Sequence, residues 1–192
     1  MRSKVSRFRV RCARRLSGRI LDLGAGEGDF TPYLGAGVVS LDVDLTNLGR
    51  LAGRRVAASA DRIPFADDSF DGVWSCAVLE HVATNYLPEA VRVTRPGGRL
   101  FVLTPNRVSP WDPIKRLLGL GDWWSNEGHV RLYSVQDLAA WGRVLGEIWW
   151  APGLDQLARW WPRLGHTLML QVDVDRDLKD RVGSRALDPA SR

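Results

Sequence analysis

Cysteine, lysine and long apolar runs are all scarce in this chain, and each scarcity closes off a class of protein. Only Cys12 and Cys76 are present, so no disulfide framework holds the fold, which suits a reducing compartment. Apolar stretches such as Leu168–Leu170 fall far short of the roughly 20 residues needed to cross a bilayer. No continuous apolar segment follows the basic N-terminus, as a secretory signal would require. The expectation is a soluble, cytoplasmic chain. Three scattered histidines and two distant cysteines give no metal-ligand spacing, so no metal is expected. Neither a paired-carboxylate nor a nucleophile-elbow signature is present. At 192 residues the length is that of one domain with a sizeable core.

With Lys4, Lys115 and Lys179 the only lysines, arginine carries nearly all the positive charge behind the net +5. Its placement is informative. Residues 1–19 hold eight basic side chains and no acidic one, and beyond them the charges nearly balance. Val5, Phe8, Cys12 and Leu16 recur at helical spacing with arginines on the other faces, and Gly18 is a stop signal. Residues 1–18 therefore read as a basic amphipathic helix. Two readings stay open: a helix packed on the domain edge with a solvated basic face, or a surface for peripheral contact with anionic lipid or phosphate.

From Ile20 the pattern changes. Ile20, Leu21 and Leu23 form a buried-strand run that ends in Gly24-Ala25-Gly26-Glu27-Gly28, a loop whose glycines let the backbone approach a ligand closely. Asp29-Phe30-Thr31-Pro32 reads as a capped helix start facing that loop. Further strands are expected at Val38–Asp44, Val56–Ala58, Phe70–Ser75 and Leu100–Leu103, with helices at Thr46–Arg54 and within Glu80–Arg95. A proline- and glycine-rich excursion, 105–133, has the character of a lid. A helix from Ser134 to Gly142 follows, then a strand at Glu147–Ala151, a helix at Leu154–Trp161 and a last strand at Thr167–Val172. The charged segment 173–192 lacks apolar periodicity and reads as a flexible tail.

Alternating strands and helices predict an α/β fold: a Rossmann-like, doubly wound, mostly parallel seven-stranded sheet spanning 19–172. Ligands of such sheets bind beyond the carboxyl ends of the strands. Asp42, the Ser59–Asp61 turn and the residues after Trp74 fall at that edge together with the glycine loop. A dinucleotide fingerprint counted from Gly24 would place its third glycine where Asp29 stands, which disfavours a nicotinamide-dependent oxidoreductase. Asp22, two residues before the loop, suits a cationic ligand better than a pyrophosphate. Asp42 can accept both hydroxyls of a ribose in either case.

The blocks ILDLGAGEG, VVSLDVD, RIPFADDSFDGVWSCAVLEHV and RPGGRLFVLTPN, with GHVRLYSVQDL further on, resemble class I S-adenosylmethionine-dependent methyltransferases in order and spacing. The resemblance implies S-adenosylmethionine as cofactor. It places Asp22 near the methionine ammonium, Gly24, Ala25, Gly26 and Gly28 beneath the cofactor, and Asp42 and Val43 at the ribose. Ser59 stands where the family usually has an acidic residue directed to the adenine amine, so Ala60 and Asp61 enter the adenine site as substitutes. Ser75, Cys76 and Ala77 match the segment lining the reaction cavity.

A base is needed only when the acceptor is a weakly acidic hydroxyl or a protonated amine, and His81 and His129 are the candidates. Glu80 has a plainer reading as a helix-start carboxylate, and His81 has an equally open structural one. Six of the nine tryptophans form the pairs Trp123-Trp124, Trp149-Trp150 and Trp160-Trp161. They read either as core or as an apolar acceptor surface. The expected acceptor is a small molecule or a lipid-like, cell-envelope compound. The absence of a Pro-Pro-Tyr-type motif argues against nucleic acid. A non-catalytic S-adenosylmethionine-binding subunit is the alternative.

Overall fold

The computed structural model describes residues 5–117, 128–148 and 154–186. Seven strands form one sheet in the order β3-β2-β1-β4-β5-β7-β6. They are β1 (Ile20–Leu23), β2 (Val38–Asp42), β3 (Arg54–Ala57), β4 (Phe70–Cys76), β5 (Thr94–Pro105), β6 (Arg143–Glu147) and β7 (Thr167–Asp173). β1 runs parallel to both β2 and β4, β2 runs parallel to β3, and β6 closes the far edge antiparallel to β7. This is the mostly parallel, doubly wound architecture expected from the alternation of elements. The chain forms two compact units.

The first unit comprises Met1–Cys76, Thr84–Phe101 and Val172–Arg192. Ile20, Leu21 and Leu23 of β1 are fully buried, as a strand flanked by neighbours on both sides requires. Trp74 is its central aromatic, with ring centroids 4.9 Å from Phe30 and 6.3 Å from Phe101. α1 (Arg7–Ala13) buries Phe8 and Cys12, and Leu16 is buried just beyond it, so the apolar stripe read from the sequence faces the core. Arg7 and Arg11 are exposed, but Arg9 is buried. β3 is an edge strand whose Arg54 and Arg55 are exposed, a charge pattern that discourages edge-to-edge pairing.

Several expectations change here. The glycine loop leads not into an α-helix but into a single 3₁₀ turn, Thr31–Tyr33, whose cap residue is Phe30 rather than Asp29. Only a short stretch holding Pro32, Gly35 and Gly37 separates the loop from β2, which leaves no room for several helical turns. The helix after β2 is α2 (Leu45–Arg50), capped by the Asp44 carboxylate accepting from the Thr46 and Asn47 N–H groups. α3 (Leu87–Val93) is preceded by a separate 3₁₀ turn, Leu79–His81. Pro96-Gly97-Gly98 lies inside β5 rather than between elements.

The expected flexible tail is in part a helix, α7 (Arg176–Ala186). Asp175 caps it by accepting the Leu178 N–H at 2.7 Å, Leu178 is buried, and Lys179 pairs with Asp68 and donates to the Arg92 carbonyl. Those anchors are tertiary and leave no periodic signature. Residues 187–192 lie outside the described residues.

The second unit comprises Ala77–Ala83 and Val102–Gln171. It holds α4 (Trp111–Leu117), a helix within the expected irregular excursion, and α5 (Val135–Ala139), α6 (Asp155–Trp160) and the antiparallel β6–β7 pair. Ser134 and Asp137 form a reciprocal capping box at α5. Asn106 organises the end of β5: its amide donates to the Gly165 and Arg163 carbonyls, and its own strand bridges to Tyr133. The strand expected at Glu147–Ala151 starts and ends earlier, as β6, with Gly146 packed against the Ala158 and Pro162 carbonyl oxygens. The core reading of the tryptophans fails at Trp160-Trp161, which are 82% and 60% exposed. Trp123-Trp124 and Trp149-Trp150 lie outside the described residues.

Candidate active site

The carboxyl ends of β1 and β2 carry the first group of candidate residues. Gly24, Gly26 and Gly28 have φ of +70°, +54° and +80°, a left-handed backbone that alternating glycine permits. The loop is tied to β2: Gly24 and Ala25 donate to the Leu41 carbonyl, and Gly26 donates to Asp42 Oδ2 at 2.8 Å. The other carboxylate oxygen of Asp42 accepts from the Asp44 N–H, also at 2.8 Å. Each oxygen retains a lone pair for a further donor. Ala25 is buried with Leu48 and Leu51 and anchors the loop to α2, while Val43 is exposed.

Asp22 lies inside β1, 3% exposed. Its Oδ2 accepts the Thr31 hydroxyl at 2.7 Å. Burial pushes its carboxyl up to about 7, against the lowering effect of Thr31 and with a further rise from the charge of Asp42. A buried carboxyl in that state favours a cationic neighbour. Thr31 is a residue the sequence reading passed over. Its signal was present in the Thr-Pro pair directly after the loop, but that pair was assigned to a helix start.

At the turn after β3, Ser59 and Asp61 act together. The Ser59 and Thr84 side chains hydrogen-bond the Asp61 carboxylate, Thr84 at 2.9 Å, and hold it below the usual carboxylate range. Ala60 between them is buried. At the end of β4 the Ser75 hydroxyl is fully buried and shares a 2.7 Å hydrogen bond with Tyr86, so its side chain faces packing rather than open space. Cys76 is half-buried, and Ala77 takes a φ of +58°, an uncommon conformation for a residue with a Cβ.

The second unit supplies a different cluster. Glu80, His81 and His129 each offer a ligand atom, all within 4.8 Å of one another. The two imidazole centroids are 5.0 Å apart in an edge-to-face arrangement. His81 Nδ1 is 3.0 Å from the Gly128 carbonyl, and the Glu80 carbonyl accepts the Val130 and Arg131 N–H groups, which joins the two chain segments. The Glu80 side chain is fully buried and accepts the Thr104 hydroxyl at 3.1 Å, in place of the helix-start N–H groups expected from the sequence. Burial, helped by the neighbouring His81, lowers His129 below its ordinary value, and burial raises Tyr133. His129 Nδ1 and the Tyr133 hydroxyl are buried without a hydrogen-bond partner among the described residues. His166 is elsewhere, buried beside Ser109. A cavity of about 550 Å³ lined by Val135, Trp161, Pro162, Arg163 and Leu164 contains none of the candidate residues.

A family described as methyltransferase domain matches residues 21–102, which contain the glycine loop, Asp42, the Ser59–Asp61 turn and the end of β4. Residues 21–102 are thus similar to a methyltransferase domain. The chain is 42% identical over 111 residues to a demethylmenaquinone methyltransferase of Beutenbergia cavernae, a match covering 53% of this chain and 46% of the relative. It is 28% identical over 183 residues to the chloroplastic tocopherol O-methyltransferase of Arabidopsis thaliana, covering 76% and 52%. The chain thus spans about half the length of these curated relatives. An S-adenosylmethionine-dependent methyltransferase from Mesorhizobium loti shares the fold, with a TM-score of 0.61 at 20% identity over 84% of this chain and 94% of that one.

The residues present fit S-adenosylmethionine, the cofactor that the sequence resemblance implies. A Cβ built on Gly26 meets nothing within 4 Å, so the loop faces open space there. Asp42 has acceptor capacity for a diol, and the buried Asp22 carboxyl suits an ammonium. Among the described residues, no helix is long and apolar enough to cross a membrane.

Proposed function

We propose that this chain transfers the methyl group of S-adenosylmethionine to an oxygen, nitrogen or carbon atom of a small, lipid-like acceptor. The observation that carries this reading is the bond from the Gly26 N–H to Asp42 Oδ2, which joins the glycine loop and an unsaturated carboxylate at the ligand edge of the sheet. When bound, S-adenosylmethionine supplies an electrophilic methyl group. Asp42 holds the ribose hydroxyls, Asp22 the ammonium, and the Ser59–Asp61 turn the adenine edge. Orientation supplies most of the effect, since a well-aligned intramolecular reaction lowers a barrier by up to about 7–11 kcal/mol.

His81 and His129 are the polar groups assigned to the acceptor's reacting atom. Support for this comes from their proximity to one another and from the position of His81 five residues after the end of β4. Support for a lipid-like acceptor comes from relatives named for menaquinone and tocopherol precursors and from the exposed Trp160-Trp161 pair. Contact with an anionic membrane through the basic α1 belongs to the same reading. The 3₁₀ turn standing in place of the helix after the loop favours a second one, a non-catalytic S-adenosylmethionine-binding subunit.

Calorimetric titration with S-adenosylmethionine and with NAD, followed by incubation with methyl-labelled cofactor and fractionated lipid and metabolite extracts, tests these readings. Binding of the first ligand alone, with label entering the lipid fraction, is expected. Cofactor binding with no label transferred to any fraction establishes the binding subunit, and no binding at millimolar cofactor overturns both.

A further inference from the structure

We propose that Glu80, His81 and His129 form a binding site for a divalent transition-metal ion. Two imidazoles and one carboxylate, with ligand atoms within 4.8 Å of one another, are a donor set that selects first-row ions such as Zn²⁺ or Mn²⁺ over the all-oxygen shells of Ca²⁺ and Mg²⁺. Side-chain adjustments of about 1 Å bring such atoms to bonding distance of one ion.

The surroundings of the three residues match those of metal ligands. A ligating histidine characteristically donates its second ring N–H to a carbonyl, which fixes the tautomer and leaves the other nitrogen with its lone pair outward. His81 Nδ1 has that relationship to the Gly128 carbonyl at 3.0 Å, which leaves Nε2 as the donor atom. His129 carries a ring nitrogen, Nδ1, that is buried and has no hydrogen-bond partner among the described residues. The Glu80 carboxylate is oriented by the Thr104 hydroxyl. The backbone holds the ligands in place before any ion arrives. Val130 and Arg131 both donate to the Glu80 carbonyl, at 2.7 and 3.2 Å, so residues adjoining His129 are locked to the turn that carries Glu80 and His81.

Three protein ligands leave coordination positions open. The ion site is independent of the methyl-transfer reading.

The full chain, dialysed against a chelator and then against metal-free buffer, is titrated calorimetrically with ZnCl₂. One ion per chain is expected. His81→Ala and His129→Ala should each weaken binding by at least about tenfold. Glu80→Gln is a second route to the same loss, with circular dichroism confirming that the buried substitution leaves the fold intact. Co²⁺ provides a spectroscopic reading: d–d absorption in the visible for the wild-type chain, absent in His129→Ala. Absence of stoichiometric Zn²⁺ binding at about 100 μM, or binding unchanged in the His81→Ala/His129→Ala double variant, overturns the proposal. S-adenosylmethionine titrated in parallel separates the two ideas, since loss of ion binding with cofactor binding retained bears on the metal site alone.

Discussion

The N–H of Gly26 donates to Oδ2 of Asp42 across 2.8 Å, so the glycine loop after β1 and the acidic end of β2 are mechanically one element. The loop is not merely permissive. Its shape is set by the side chain proposed to hold the ligand. Asp42→Ala therefore removes a loop anchor and two acceptor positions together. Charge-assisted bonds of this kind are worth about 1.5–3 kcal/mol each, so S-adenosylmethionine affinity should fall by about 100-fold or more. Asp42→Asn, which keeps the shape, should fall between the two. Calorimetry checks both, and unchanged affinity in the alanine variant would remove Asp42 from the site.

The buried Asp22 makes a pH prediction of definite sign. Its carboxyl is raised to about 7 in the folded chain against an ordinary value of 3.8, so the folded state holds a proton that the unfolded state has released. Stability from this group is present at acid pH and lost as pH rises from about 4 to about 7. A cationic ligand favours the ionised form instead, and cofactor affinity should weaken by about tenfold per pH unit below 7. Asp22→Asn should flatten both profiles and should raise stability at pH 8 by up to roughly 4 kcal/mol. Thermal melts and calorimetry between pH 5 and 8 provide the comparison; an identical slope in wild type and variant would show that Asp22 is not the titrating group.

Arg92 clamps the loop before β4. Its guanidinium donates to both Glu89 oxygens, to Asp67 and to the Ile63 and Phe65 carbonyls, all between 2.7 and 2.9 Å. Glu89 in turn accepts the Ile63 N–H at 3.0 Å. The side chain is about one-third exposed, which discounts the ionic part. Arg92→Ala should still cost about 2–3 kcal/mol by leaving two carbonyls and two carboxylates without this donor. A lower urea midpoint at unchanged m-value is the expected result; an unaltered midpoint would mean that water replaces the clamp at no cost.

Arg7 and Arg11 project from α1 while Phe8 and Cys12 hold it to the core. If α1 meets anionic lipid, Arg7→Gln/Arg11→Gln should reduce flotation with phosphatidylglycerol vesicles by about 30-fold at low salt, at about 1 kcal/mol per charge, with melting unaltered. Equal flotation would leave the helix a purely structural role.

How much of this was legible beforehand follows from the range of each interaction. Strands β1, β2 and β4 were readable because burial on both faces demands continuous apolar runs, and the glycine loop because only glycine tolerates three left-handed positions in five residues. Asp42 was legible through its spacing from that loop. α7 was not, because its support comes from Asp68, a partner distant along the chain. The histidines are scattered along the chain, and only the fold brings Val130 and Arg131 back onto Glu80.

The sequence by itself determined the sheet and the loop, since periodicity and glycine placement are local properties of the chain, and its motif blocks carry the resemblance that implies the cofactor. Tertiary structure alone decided that Asp22 is a buried carboxyl with a raised pKa, that Ser75 is engaged by Tyr86, and that Glu80, His81 and His129 stand together. Those outcomes depend on which distant segments meet and exclude water, and no local pattern encodes that.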